Sequence, residues 1–377
     1  MDFKYAEQRA LFPILQKKAQ LSSCSQSALS QSVMAATAEY NRSWLEKGMD
    51  WIGWMETVHA AKAEFAQLVH ADVADIAVLS CVSDVASSIG SALEFKPDRA
   101  GILVGEIDFP SLGHVWLAHE KRGAKVSFLQ ANAHHGIELQ AYHDAINDST
   151  CLVSVSHASY HNGYIQDIAA IAAIAHQHGA IVFVDAYQSA GSMQIDVQRD
   201  DIDILTSGAQ KFMLGCPGIA FAYIRRGLAN RLRPSNTGWF GRVNPFAFDI
   251  RGLDYAEGAA RFDTGTPPMI NAYAARAGMQ MLNALDMREV EDYLRHLSAV
   301  ALSEVKRQGM RSASPSDLTI KGPSTAIYVN NSQEVEKKMA QAGFIVSARN
   351  DVIRIAPHFY NTEEEVTAAV RELARHA

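Results

Sequence analysis

The stretch Ile181–Gly218, IVFVDAYQSAGSMQIDVQRDDIDILTSGAQKFMLGCPG, decides how the rest of the chain is read. It opens with a short apolar run, Ile181 to Val184, bounded by Gly179 and Asp185. Such a run predicts a buried strand with a carboxylate at its C-terminal end. A second run, Ile202 to Leu205, leads through Thr206, Ser207, Gly208, Ala209 and Gln210 to Lys211. That lysine stands alone among small and apolar residues, with a Gly-Cys-Pro-Gly turn beyond it. A carboxylate at one strand end and a desolvated lysine at the next suit Schiff-base chemistry. The lysine condenses with an aldehyde, and the carboxylate keeps a ring nitrogen protonated. The same residues also fit a salt-bridged Asp and an ordinary surface Lys in an α/β domain. This stretch alone leaves both readings open.

Outward from it, strands alternate with helices from about 76 to 224. Ile76–Leu79 reads as a strand, and SCVSDVASSIGSAL after it turns helical from Val85, with Ser80, Ser83 and Asp84 at the helix start. Free N–H groups and the helix dipole make such a start an anion site. An ordinary serine N-cap looks the same. Gly101–Val104 is a strand followed by GEIDFPSLGHVW, whose Phe109 either offers an aromatic face to a ring or belongs to the core. Lys125–Leu129 and Leu152–Val155 are further strands. His157, Ser159, Tyr160 and His161 follow the latter, where open α/β sheets place their ligands. A helix over 168–178 closes at Gly179, and Ile219–Ile224 is another buried strand. The pattern predicts an α/β fold with a mostly parallel sheet covered on both faces.

The flanks are plainer. Residues 1–20 predict a short amphipathic helix, 21–30 an ordered small-residue loop, and 31–70 helical spacing with Trp44, Trp51 and Trp54 as core or interface anchors. Residues 228–262 lack periodicity and hold NTGWFGRVNPF. RFDTGTPP follows, then a long helical pattern to about 308, a turn or linker SASPSD at 312–317, and a tail alternating strand and helix. His134 and His135 read as solvated surface. The 377 residues carry a net charge of −7 with both signs scattered, which argues against nucleic acid or anionic lipid as partner. No apolar run approaches the ~18 residues of a membrane span. The charged N-terminus has no apolar signal region. The four cysteines lack CxxC spacing, which suggests neither a zinc site nor a thioredoxin-like motif and points to reduced thiols in a cytoplasmic protein.

Three segments, VDAYQSAG, SGAQKFMLGCPG and RIAPHFYNT, together resemble the class V aminotransferase family of fold type I pyridoxal-phosphate enzymes. That family includes cysteine desulfurases, kynureninases and isopenicillin N epimerase-like proteins. The resemblance spans about residues 20–376. It implies a large domain over 46–260 built on a mostly parallel seven-stranded sheet, and a smaller α+β C-terminal domain over 261–377. Residues 1–45 would pack with the small domain. It implies pyridoxal 5′-phosphate as cofactor, with Lys211 holding the aldehyde and later serving as proton-transfer base. Asp185 would pair with the ring nitrogen and Gln188 with the ring hydroxyl. Ser83, the Val82 N–H and Gln210 would take the phosphate, and Phe109 would stack on the ring. Trp239 and Thr266 resemble residues that reach the phosphate from a partner subunit, which implies an obligate homodimer. Arg354 resembles the arginine that clamps a substrate α-carboxylate; a guanidinium fork suits that planar anion.

Departures matter too. Desulfurases carry a nucleophilic cysteine in a loop before this arginine, and residues 331–353 contain none. Ile107 or Phe109 takes the place of a histidine over the ring. Tyr160, or else Ser159, replaces an asparagine. Gly208 stands where some relatives have a phosphate-binding serine, with Ser207 one step off. The resemblance implies an enzyme that activates an amino acid at Cα, of aminotransferase type. The alternatives are a β-lyase (carbon–sulfur or kynureninase-like), an epimerase and, remotely, a non-catalytic binding scaffold. The side-chain pocket would draw on Ser23, Cys24, Ser25, His114, His157, Tyr160 and His161, with Cys24 and Tyr160 as candidate substrate contacts.

Overall fold

The structure, a computed structural model, describes residues 3–132 and 134–376. The N-terminal segment forms helix α1 (Ala6–Ala10), a single 3-10 turn at Pro13–Gln16 and strand β1 (Ala19–Gln20). The single helix expected over 1–20 is thus broken. Pro13 has no N–H for a helical ladder and its ring obstructs the preceding turn. Residues 21–30 form the expected loop. Helices α2 (Gln31–Lys47) and α3 (Trp51–Leu68) follow, split where Gly48 takes φ +69°. Ser30 starts α2 by accepting the Val33 N–H at 3.1 Å.

Next come β2 (Ile76–Leu79), α4 (Val82–Ala92), β3 (Gly101–Gly105), α5 (Pro110–Leu117), β4 (Lys125–Leu129), α6 (Leu139–Ala145), β5 (Thr150–Ser156), α7 (Ile168–Gln177), β6 (Ile181–Asp185), β7 (Ile204–Gly208), β8 (Ala220–Ile224) and α8 (Arg226–Ala229). The seven strands form one sheet in the order β2-β8-β7-β6-β5-β3-β4. Strand β8 runs antiparallel to both neighbours, and the other pairings are parallel. This is the mostly parallel α/β sheet the sequence implies.

Residues 239–262 hold only 3-10 turns, consistent with their missing periodicity. The long helical pattern after them is two helices, α9 (Met269–Asn283) and α10 (Met287–Arg307), with Asp286 accepting the Arg288 N–H at 2.9 Å at the break. The chain ends with β9 (Thr325–Tyr328), α11 (Ser332–Gln341), β10 (Phe344–Ile345), β11 (Ser347–Arg349), β12 (Val352–Ile355) and α12 (Glu363–Leu373). Strands β11, β12 and β9 form an antiparallel sheet, while β1 pairs in parallel with β10.

Alternation along the strands divides the core. Val182 and Val184 face a cluster that continues through Phe12, Ile353 and Phe359, joining the N-terminal segment, the sheet and the C-terminal elements. Phe183 faces the opposite cluster with Leu79, Ile102 and Trp116. Trp116 meets Phe183 edge-on at 5.3 Å. Burying a phenylalanine of this kind contributes about 2–3 kcal/mol. The carboxyl ends of β2, β3, β5, β6 and β7 lead into the loops that line the cleft below.

Candidate active site

A cavity of about 390 Å³ opens at those strand ends. Its size falls in the range of cofactor sites, about 300–1,000 Å³. At one end lies the start of α4. Val82 and Ser83 are its first helical residues, so their N–H groups have no intrahelical carbonyl. The N-cap, Cys81, makes no side-chain cap hydrogen bond. Val82 and Ser83 line the cavity, which makes this end receptive to an anion.

Asp185 is the last residue of β6, between Ser156 of β5 and Thr206 of β7. Burial raises its pKa, opposed by the Tyr187 N–H it accepts at 2.8 Å and by Lys211. Lys211 follows β7 on a tight turn. The Leu214 N–H donates to the Lys211 carbonyl at 3.1 Å, and the Gly215 N–H to the Ala209 carbonyl at 2.8 Å. Leu214 takes φ +61°, a left-handed conformation that costs a leucine on the order of 1 kcal/mol. His358 supports this turn. Its Nε2–H donates to the Phe212 carbonyl at 2.9 Å, and its Nδ1 accepts the Phe359 N–H at 2.8 Å. Burial pushes its pKa down to about 4, so the neutral tautomer that fits both bonds persists. Sequence reasoning missed His358, although it lies inside RIAPHFYNT.

Burial likewise lowers the pKa of Lys211 to about 8, against the opposing pull of Asp185. Its Nζ lies 3.9 Å from the centre of the Tyr187 ring and 5.7 Å from that of Phe109. Phe109 lines the cavity, whereas Ile107 is buried elsewhere in the core. Phe109 also meets Tyr160 edge-on at 5.1 Å. Tyr187 was not foreseen. The available signal was its place two residues after the strand-end aspartate. A Cβ at Gly208 would lie 2.2 Å from the Tyr187 hydroxyl, so Gly208 is what admits this ring. Burial pushes the Tyr187 phenol up to about 12, so it keeps its proton.

The opposite wall comes from the C-terminal elements and the 21–30 loop. Arg354, 1% exposed, donates from Nη1 to the Tyr160 carbonyl at 2.7 Å. Its Nη2 donates to Ser347 Oγ at 2.6 Å and Ser25 Oγ at 2.9 Å. Its Nε is buried without a partner. Gln188 donates to the Cys24 carbonyl at 3.0 Å and Gln210 to the Ser25 carbonyl at 3.4 Å. The cavity therefore unites Cys24, Val82, Ser83, Phe109, Tyr160, Asp185, Gln188, Gln210, Lys211 and Arg354.

Other candidates lie outside its lining. Ser23 is buried and bonds the Tyr360 hydroxyl at 3.2 Å. Ser159 caps the His161 N–H at 3.3 Å, and Ser207 turns to the Gly208 carbonyl at 3.3 Å. His157 is buried, with its pKa pushed down to about 4 by that burial. His114 is exposed on α5, and His134 and His135 are exposed as expected. Trp239 packs 5.9 Å from Trp51, and Thr266 is exposed; neither borders this chain's own cavity.

This donor set fits pyridoxal phosphate. The free helix start suits a phosphate, the Asp185 carboxylate a ring nitrogen, Phe109 and Tyr187 an aromatic ring, Lys211 an aldehyde and Arg354 a carboxylate.

Comparison with known proteins agrees. Residues 21–368 match the aminotransferase class-V family. The chain is 38% identical over 368 residues to the uncharacterized aminotransferase YcbU of Bacillus subtilis (strain 168), covering 97% of this chain and 96% of that protein. It is 32% identical over 185 residues to the cysteine desulfurase IscS of Methylococcus capsulatus, covering 48% and 46%. Its fold resembles the cysteine desulfurase CsdA of Escherichia coli, with a TM-score of 0.87, 22% identity and coverage of 100% and 98%. It also resembles the cystine C-S lyase C-DES, with a TM-score of 0.88, 19% identity and coverage of 97% and 99%. The chain belongs to the class-V aminotransferase family and is a fold type I enzyme that uses pyridoxal phosphate.

Proposed function

We propose that this enzyme transfers the amino group of an α-amino acid, with Lys211 as the proton-transfer base and Arg354 as the α-carboxylate clamp. The observation that carries the reading is the convergence of Lys211, Asp185, the free α4 start and Arg354 on one cavity. When bound, the cofactor supplies an electron sink for the bond broken at Cα. Lys211 holds the cofactor aldehyde at rest. Its Nζ, freed when the substrate amine replaces it on the aldehyde and lowered to a pKa of about 8 by burial, would then take the proton from substrate Cα. Asp185 holds a proton at the ring nitrogen. Val82, Ser83 and Gln210 would bind the phosphate, Gln188 the ring hydroxyl, and Phe109 would orient the ring. Arg354 anchors the α-carboxylate, its own orientation set by Tyr160, Ser25 and Ser347. Transamination is favoured by the relative named as an aminotransferase. A carbon–sulfur lyase is the second reading, supported by the fold neighbours named as desulfurase and lyase. A desulfurase-type nucleophile is absent from 331–353, and Cys24 in the cavity is buried.

Incubating the holoenzyme with a panel of amino acids tests this. Amino transfer yields the 2-oxo acid and an aminated cofactor when no acceptor is present. Pyruvate with ammonia or sulfide sinks it in favour of the lyase. Lys211→Ala should lose the cofactor's absorbance band in either case.

The active enzyme is a homodimer in this reading. Trp44, Leu45, Met49 and Ile52 are exposed near one corner, and Val243, Phe246, Phe248 and Ile250 are exposed nearby. Trp51 bridges the two groups through Trp239 and Phe240. An apolar patch of this kind marks a protein interface. A second copy would bring its own Trp239 and Thr266 toward the phosphate. Phe248→Asp should then sediment as a monomer with weaker cofactor binding. A wild-type monomer with full affinity would refute the shared site. Among the described residues no helix is long and apolar enough to cross a membrane, and we place the enzyme in the cytoplasm, in keeping with its four free thiols.

A further inference from the structure

We propose, resting on the amino-acid reading above, that the substrate carries a second anionic group and that Arg349 receives it. Strands β11 and β12 form a hairpin in which Ser347 stands opposite Arg354 and Arg349 opposite Val352. Residues two apart on a strand share a face, so Arg349 lies on the face of Ser347 and of its cross-strand partner Arg354. The diagonal spacing is within reach of long side chains. Both arginines line the cavity.

Their surroundings differ. Arg354 is held by three acceptors from three loops and strands. The Nε of each is buried without a hydrogen-bond partner, but among the described residues Arg349 has no acceptor comparable to the three that hold Arg354. The carboxylate that influences it, Glu336, already accepts the Ala348 N–H at 2.8 Å. Burial first, and the Arg354 charge second, press the Arg349 pKa down. A buried donor without a partner beside a like charge is unfavourable, and an anion bound there relieves both penalties.

The charge inventory of the cavity points the same way. Asp185 is the only carboxylate among the lining residues. Lys211 would be committed to the cofactor aldehyde, Asp185 to the ring nitrogen, the start of α4 to the phosphate, and Arg354 to the substrate α-carboxylate. Arg349 is then the remaining cation. A substrate with a neutral side chain leaves it unpaired, whereas a side-chain carboxylate or sulfonate matches its planar fork.

The test uses the holoenzyme with shape-matched pairs: L-glutamate against L-glutamine and L-aspartate against L-asparagine, with L-cysteate as the sulfonate arm. The acidic member should exceed its amide in kcat/KM by about 10- to 100-fold, the effect of one charge-assisted contact. Arg349→Gln should bring that ratio close to one, and Arg349→Lys should keep part of it. Binding without turnover is read from the cofactor absorbance on titrating glutarate against butyrate, and Arg349→Gln should weaken glutarate about tenfold or more relative to butyrate. A wild type that favours the amides overturns the proposal, whatever the variants do. A ratio unmoved by Arg349→Gln also overturns it, because a structural role or a partner-subunit ion pair would affect both substrates alike. If no amino acid turns over while glutarate binding still depends on Arg349, the amino-transfer reading fails and the second-anion site stands.

Discussion

Lys211 reaches a useful pKa because its ammonium is desolvated among aromatic and apolar neighbours, with Asp185 as the opposing charge. Only the neutral amine attacks an aldehyde. Freed of cofactor, the protein should therefore capture pyridoxal phosphate at a rate that rises about tenfold per pH unit below pH 8 and levels off above it. Asp185→Asn removes a charge that favours the ammonium, so the inflection should move to lower pH. Stopped-flow absorbance across pH 6 to 11 measures both; an inflection near the ordinary lysine value of 10.5 would show that burial does not control this amine. Gly208 makes a second residue-level case. In Gly208→Ala the new methyl would sit 2.2 Å from the Tyr187 hydroxyl and 2.3 Å from its Cζ. The ring must move off the cofactor slot, so cofactor affinity should fall. Adding Tyr187→Ala removes the collision, and the two effects should be non-additive by about 1 kcal/mol or more. Equilibrium titration of the four proteins with pyridoxal phosphate measures that coupling, and simple additivity would argue against the contact.

At the scale of elements, Asp263 ties α3 to the edge strand β2. It accepts Lys62 Nζ at 2.5 Å and the Val78 N–H at 2.8 Å, from a position next to the exposed Thr266 loop. Both partners are largely shielded, so these charge-assisted bonds keep most of their strength. Asp263→Ala should cost about 2–3 kcal/mol, read from urea unfolding, and it should also weaken cofactor binding because β2 leads directly into α4. An unchanged midpoint would mean that the edge strand is held by packing alone. The hairpin of β11 and β12 works in a similar way. Ser347 orients Arg354, and Ser347→Ala should raise KM for carboxylate substrates several-fold without moving the resting absorbance band.

At the scale of the whole molecule, the N-terminal segment completes the cavity from a distance. Arg9 forms a two-pronged ion pair with Glu365, at 2.6 and 3.0 Å, and donates to the Tyr360 carbonyl at 2.6 Å. The Tyr360 hydroxyl bonds Ser23 at 3.2 Å and the Ala28 N–H at 3.0 Å, bracketing the loop that presents Cys24 and Ser25. Arg9→Ala should therefore cost about 2 kcal/mol in stability, discounted for partial exposure, and should raise KM although it lies outside the cavity. Thermal unfolding and steady-state kinetics on one preparation check the pair of effects. Lost stability with unchanged KM would uncouple the segment from the site.

What the sequence determined by itself was local in physical origin. Continuous apolar runs ending at Asp185 and at Leu205, six residues before Lys211, produced β6 and β7, because buried parallel strands tolerate few polar residues. The small polar stretch before Val85 announced a helix start, because caps are written within a few residues. The same locality explains the misjudged helix at 1–20, where Pro13 outweighed amphipathic spacing, and the two helices merged across Asp286. Only the tertiary structure decided which face of a loop turns inward. It put Phe109 and Tyr160, and not Ile107 and Ser159, in the cavity lining, and it seated Tyr187 against a glycine distant in sequence. It also set Arg349 beside Arg354 through strand register, and placed Trp239 and Thr266 away from their own cavity. Those outcomes depend on distances between segments far apart in the chain, which no local pattern of residues encodes.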